Sequence, residues 1–154
     1  MITLLDKPEE LMKYKGEISI KSYQAFVGLS DETLLWMYQV GDQFFGEQRF
    51  EEAFAIFSLV TQLNPLVCDF WIAFALTQMR QNDPSEALKS FAFAIVADPS
   101  HPIPRYQSAK LYLQLEQKQD AMIELEVLEE IIRLKQLDSL SPLVTELKEL
   151  IGGS

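Results

Sequence analysis

Ala53, Ala87 and Ala121 stand in constant step, 87 − 53 = 34 and 121 − 87 = 34 residues apart. Phe57, Phe91 and Leu125 keep the same step, as do Val60, Ala94 and Leu128. So do Gly41, Ala75 and Ala109, and the pair Pro65 and Pro99. A unit of this length, with small and large apolar residues in fixed register, is a pair of helices. Such a pair cannot bury its apolar face alone and must stack on the next copy. The expected fold is therefore all-α, a stack of helical hairpins that presents a groove rather than a catalytic pocket.

The columns describe a packing device. Gly41, Ala75 and Ala109 on the first helix of each unit, and Ala53, Ala87 and Ala121 on the second, let the two helices approach closely. Larger side chains there cost about 1–3 kcal/mol each through overpacking. Phe57, Phe91 and Leu125 fill the space between units. Phe44 and Tyr112 form a further core column in which the middle unit has Gln78, and Trp71 sits in an aromatic column whose other members are Met37 and Arg105.

The units run 34–67, 68–101 and 102–135. Their internal turns fall at Glu47-Gln48-Arg49, Asn82-Asp83-Pro84 and Glu116-Gln117-Lys118. Pro65 and Pro99 end the second helices, since proline cannot continue a helix interior. Residues 1–33 form an N-terminal extension. Asp6-Lys7-Pro8-Glu9 starts a short helix that stops near Gly16, and Ile18 to Gly28 has helical apolar spacing. Ser30-Asp31-Glu32 reads as a cap with an acidic first turn. Residues 136–154 hold a capping helix after Ser141-Pro142, with Leu143, Leu147 and Leu150 expected to cover the end of the third unit.

Composition narrows the function. The 154 residues carry 13 Lys and Arg against 23 Asp and Glu, a net charge of −10. A chain this acidic repels phosphates and anionic lipid, so nucleic-acid and membrane partners are not expected. The first residues lack a basic stretch before a long apolar run, which argues against a signal peptide, and charges or amides interrupt every apolar run. The lone Cys68 cannot form an internal disulfide. It lies near a helix start, which can lower a thiol pKa, but no base is near it in sequence, and an inert thiol is expected. His101 is the only histidine and lies in an inter-repeat turn. Glu51-Glu52 and Glu129-Glu130 are adjacent residues that point to different parts of a helix surface. No phosphate loop or zinc-ligand spacing is present. No catalytic residue, metal or cofactor is expected.

The period of 34 is that of tetratricopeptide repeats. Leu35-Trp36-Met37-Tyr38, Gly41, Phe44, Phe50-Glu51-Glu52-Ala53 and Phe57 together resemble the first repeat of the class II type III secretion chaperones, the LcrH/SycD family. Asp69-Phe70-Trp71 with Ala87 and Phe91, and His101-Pro102-Ile103-Pro104-Arg105-Tyr106 with Leu111-Tyr112-Leu113-Gln114, carry the resemblance onward. It covers 34–135, and the N-terminal extension fits the family layout. The usual turn glycine is replaced here by Gln48, Asn82 and Glu116. The resemblance implies a short right-handed solenoid of three repeats, a bacterial cytoplasmic location and a homodimer with contacts from the N-terminal extension. It also implies a role in keeping hydrophobic translocator proteins soluble and secretion-competent.

First helices line the concave side of such a stack. Positions two, five, nine and twelve of each repeat place Leu35, Tyr38, Asp42 and Phe45 there. The next repeats add Asp69, Ile72, Leu76 and Met79, then Ile103, Tyr106, Lys110 and Leu113. The apolar members Leu35, Tyr38, Phe45, Ile72, Leu76, Met79, Ile103, Tyr106 and Leu113 form the expected peptide groove, with Tyr38 and Tyr106 standing outside the packing columns. Surplus apolar surface marks an interaction site, and aromatics with a methionine suit an extended apolar segment. A generic adaptor and a needle-subunit chaperone are the alternatives. A heat-shock co-chaperone that grips terminal carboxylates is disfavoured, since that groove needs basic residues and here offers Asp42 with only Lys110 positive.

Overall fold

The computed structural model describes Gln24 and residues 27–153, and within them every regular element is helical. Three hairpins follow one another: α1 (Asp31–Gly46) with α2 (Phe50–Leu63), α3 (Cys68–Arg80) with α4 (Pro84–Ala97), and α5 (Pro102–Gln114) with α6 (Lys118–Lys135). A short 3₁₀ turn (Asp138–Leu140) leads into α7 (Ser141–Gly152). The helices expected over 6–16 and 18–28 lie outside the described residues, apart from the end of the second. There Gly28 takes a positive φ of 74° and the Leu29 N–H donates to the Gln24 carbonyl. That closure is the glycine stop read from the sequence.

Local chemistry sets the helix ends. The Ser30 hydroxyl accepts from the Thr33 N–H at 3.1 Å, and Asp31 and Glu32 complement the α1 dipole. Asp83 caps α4 by accepting from the Glu86 N–H, with Pro84 in the first turn. His101 caps α5, its Nδ1 accepting from the Ile103 N–H at 3.2 Å. The lone histidine thus has a structural task. Helix α6 runs 18 residues against 14 for α2 and α4. The residue 34 beyond Pro99 is Arg133, so nothing breaks the third second-helix until Gln136 turns left-handed.

The three internal turns share one geometry. Gln48, Asn82 and Glu116 have φ of 61°, 60° and 60°. The residue after each donates back five places, Arg49 to Phe44, Asp83 to Gln78 and Gln117 to Tyr112, at 2.8, 3.0 and 2.8 Å. These are Schellman closures built without glycine.

Packing is a string of small cores rather than one large one. The first joins Leu34, Ala53, Phe57, Val60, Leu63, Phe70 and Ala73; the second joins Ala75, Ala87, Phe91 and Leu111. The third holds Ala109, Leu125, Leu128, Ile132, Val144 and Leu147. Every residue of the four complete 34-step columns is buried. At Gly41 an added Cβ would lie 2.6 Å from Cε1 of Phe57, so only glycine fits without movement.

Some expectations need correction. Helix α7 buries Val144 and Leu147 and packs Ile151 beside them, while Leu143 and Leu150 are exposed. Both stripes have helical spacing and share Leu147, so periodicity alone could not choose between them. Trp71 is half-buried, stacked on Phe93 with centroids 4.6 Å apart and donating through Nε1 to the Pro65 carbonyl. In the same column Arg105 pairs with Glu124 at 2.8 Å, with both side chains largely buried. Gln78, in the column of Phe44 and Tyr112, is buried and accepts from the Ser90 hydroxyl at 2.6 Å. Ahead of α1, Gln24 accepts from Asn64 at 3.0 Å and donates to Asp31 at 2.7 Å, which ties the entering chain to the end of α2.

Candidate functional site

Two adjoining depressions lie along α1, α3 and α5 and share Phe45 and Leu76. Tyr38, Asp42, Phe45, Ile72 and Leu76 surround the smaller, of about 90 Å³, with Phe57 and Ala73 at its base. Phe45 and Leu76 also border the larger, of about 660 Å³, with Met79, Arg80, Asn82, Pro84, Leu111 and Gln114. The fold thus brings together five of the nine apolar residues read as the groove: Tyr38, Phe45, Ile72, Leu76 and Met79.

The other four stand apart. Leu35 lines neither depression and is 53% exposed. Ile103 is half-buried and also lines neither. Tyr106 and Leu113 pack on the third core, and the Lys110 ammonium sits 5.3 Å from the Tyr106 ring centroid.

Tyr38 and Tyr106 are not outside the packing columns. Tyr38 lies 5.8 Å from Phe57 and 5.5 Å from Phe70, centroid to centroid, as part of the first core's margin. Half-buried Tyr38 serves the core with its ring body and the groove with its edge, whereas Tyr106 serves the core alone. Burial first, then the charges of Asp42 and Asp69, raises the Tyr38 phenol pKa, so it stays a neutral donor.

Spacing along the first helices missed Arg80, Leu111 and Gln114. Arg80 is at position thirteen, one past the stripe chosen, and Leu111 forms a buried floor.

The groove is not a reaction centre in its own chemistry. Its residues are apolar, amide or singly charged, with no nucleophile held against a base. Cys68 lies elsewhere, and burial, then Asp98 and Asp69, pushes its thiol up to about 11. Desolvation and two carboxylates outweigh the helix start, so the thiol is neutral near pH 7. Among the described residues no group of three or more His, Cys, Asp or Glu is arranged to hold a metal. No described helix is long and apolar enough to cross a membrane.

No family profile and no curated protein sequence matches the chain. Solved structures do. Yersinia enterocolitica SycD, a type III secretion chaperone in complex with a peptide of the translocator YopD, superposes with a TM-score of 0.74 at 22% identity, covering 80% of this chain and 95% of that one. PcrH bound to the chaperone-binding region of PopD gives 0.71 at 17% identity, covering 82% and 93%. Scc3 in its complex with CopN gives 0.72 at 24% identity, covering 94% and 85%. The chain therefore has the fold of the type III secretion translocator chaperones, its seven described helices packed in pairs as in SycD.

Proposed function

We propose that this chain is a bacterial cytoplasmic type III secretion chaperone. It binds an extended apolar segment of a hydrophobic translocator in its concave groove and keeps that client soluble until secretion. The pair of adjoining depressions along Tyr38, Phe45, Ile72, Leu76 and Met79 carries this reading. It is an apolar channel on the first helices of a fold whose solved relatives include chaperones with translocator peptides bound. Leu35, Ile103, Tyr106 and Leu113 extend the same face. Binding here needs no catalysis, metal or cofactor: covering the client's apolar segment prevents premature association. The chain self-associates as a homodimer through its N-terminal extension; SycD is itself known in an alternative dimer.

The test is co-purification from the native cytosol, identification of the partner, then affinity measurement with two groove residues shortened. A buried large apolar side chain is worth about 1.5–3 kcal/mol. Leu76→Ala with Met79→Ala therefore removes about 4 kcal/mol, which at about 1.4 kcal/mol per tenfold is a loss near a thousandfold. Both residues also touch the second core, so thermal unfolding of the variant is measured alongside. A folded variant that keeps full affinity for a translocator would move the client off this groove.

A further inference from the structure

Arg80 is the exception among four arginines. In a chain with 23 carboxylate side chains, Arg49 pairs with Glu52, Arg105 with Glu124 and Arg133 with Glu130. Arg80 has no carboxylate partner and no hydrogen bond among the described residues. Its guanidinium carbon instead lies 5.7 Å from the ring centroids of both Phe45 and Phe50. Those contacts are to aromatic rings and occupy none of its N–H groups with an oxygen acceptor among the described residues, which leaves the fork free to donate. The fork stands at the rim of the larger depression, where Asn82 and Gln114 add amide donors. The nearest acid in sequence, Asp83, is occupied as the α4 cap.

The other end of the channel carries the opposite charge. Asp42 lines the smaller depression, and the field of Asp42 and Asp69 reaches the Tyr38 phenol there. The channel is thus negative beside Tyr38, apolar across Phe45 and Leu76, and positive beside Met79.

We infer that Arg80 reads an Asp or Glu side chain of the bound segment. The preferred ligand is an internal stretch with an apolar residue seated at Phe45 and Leu76, an acidic residue toward Arg80 and a basic one toward Asp42. This rests on the groove being the client site and adds the charge order that fixes which way the segment lies. Preorganisation is the physical reason: Phe45 and Phe50 already hold the guanidinium, so little side-chain freedom is lost on pairing. The source is an internal side chain because a segment that reaches both Arg80 and Asp42 spans the two depressions, which share Phe45 and Leu76, rather than ending in either.

A displayed library of random twelve-residue peptides, fused at the C-terminus so that no terminal carboxylate is present, tests this on the full chain. Selection should enrich an apolar residue with Asp or Glu on one side and Lys or Arg on the other. An enriched peptide, synthesised with an amidated end, should lose about tenfold in affinity when its acid becomes the amide. Arg80→Glu should invert the preference at that position to Lys or Arg, while Arg80→Lys keeps it in part; circular dichroism checks that both variants fold. Apolar enrichment with no acidic preference, or a preference unmoved by Arg80→Glu, overturns the inference and leaves the groove reading standing. Tighter binding of free-ended than amidated peptides would assign Arg80 to a chain terminus instead. Failure to enrich any apolar motif would overturn both.

Discussion

In the first repeat Gly41 faces Phe57 with Tyr38 packed alongside; in the third, Ala109 shares a core with Leu125 and Tyr106. The middle repeat has Ala75, Phe91 and Ile72 in the same places. Each set gains volume at one place and gives it up at another. Two large rings demand glycine. One ring with isoleucine admits alanine, and so does leucine with tyrosine. The three sets keep nearly the same summed side-chain volume with different residues, as close packing between paired helices requires. The same trade appears one column away. The first repeat places the apolar Met37 and Ile56 where the second has Trp71 and Ser90 and the third places the ion pair of Arg105 and Glu124.

The ion pair offers the largest test of this equivalence. Glu124→Ala strands a largely buried guanidinium whose Nε already lacks a partner, and should cost about 3 kcal/mol in denaturant unfolding. Transplanting the first repeat's residues, Arg105→Met with Glu124→Ile, should restore stability to within about 1 kcal/mol of the parent, since apolar replacements of buried pairs are often neutral. If the double variant is as unstable as Glu124→Ala, the third repeat is not interchangeable with the first. Its ion pair would then be a requirement of its own.

A smaller effect is expected at Gly41. Gly41→Ala gains up to about 1 kcal/mol of helix propensity and loses about 1–3 to the Phe57 clash, for a net loss near 1 kcal/mol. Two rescues follow from the other repeats. Phe57→Leu recreates the third repeat's set and Tyr38→Ile the second's, and each should couple favourably to Gly41→Ala by about 1 kcal/mol in a double-mutant cycle. Strict additivity in both cycles would show that Phe57 moves freely and that the volume trade is coincidence.

These comparisons show what the sequence could and could not convey. The columns were legible because a 34-residue step repeats the same contact, so Ala53, Phe57, Gly41 and their partners declared themselves. Helix starts were legible in part: Ser30 caps α1 as read, Asp83 was read only as a turn residue and caps α4, and the helix expected after Ser141-Pro142 begins at Ser141 itself, with Leu140 before it and no side-chain cap. Depth was not. Position five is half-buried in every repeat, so Tyr38 serves core and groove together, and periodicity reports phase without reporting burial. Arg80 was missed for a related reason: its meaning comes from Phe45 and Phe50 on another hairpin and from the absence of a carboxylate partner among the described residues. Neither is a spacing. At α7 two helical stripes shared Leu147, and only the placement of the helix on the third repeat selects Val144 and Ile151.

The smallest expected effect lies in the turns, where the three repeats differ in sequence and agree in geometry. Gln48, Asn82 and Glu116 all sit at φ near +60°, a region that costs an ordinary L-residue about 1–2 kcal/mol and glycine nothing. Glycine there would relieve that strain but free the unfolded chain, which offsets part of the gain. Gln48→Gly and Glu116→Gly should each stabilise by about 0.5–1 kcal/mol, because both side chains are exposed and form no part of the closure. Asn82→Gly should give less, since asparagine tolerates the left-handed region better than glutamine or glutamate. Thermal unfolding of the three single variants would read this order directly. An equal rise in all three would mean that asparagine holds no advantage in this turn. A fall at Gln48 or Glu116 would mean that the side chain there makes a contact worth more than the backbone strain it imposes.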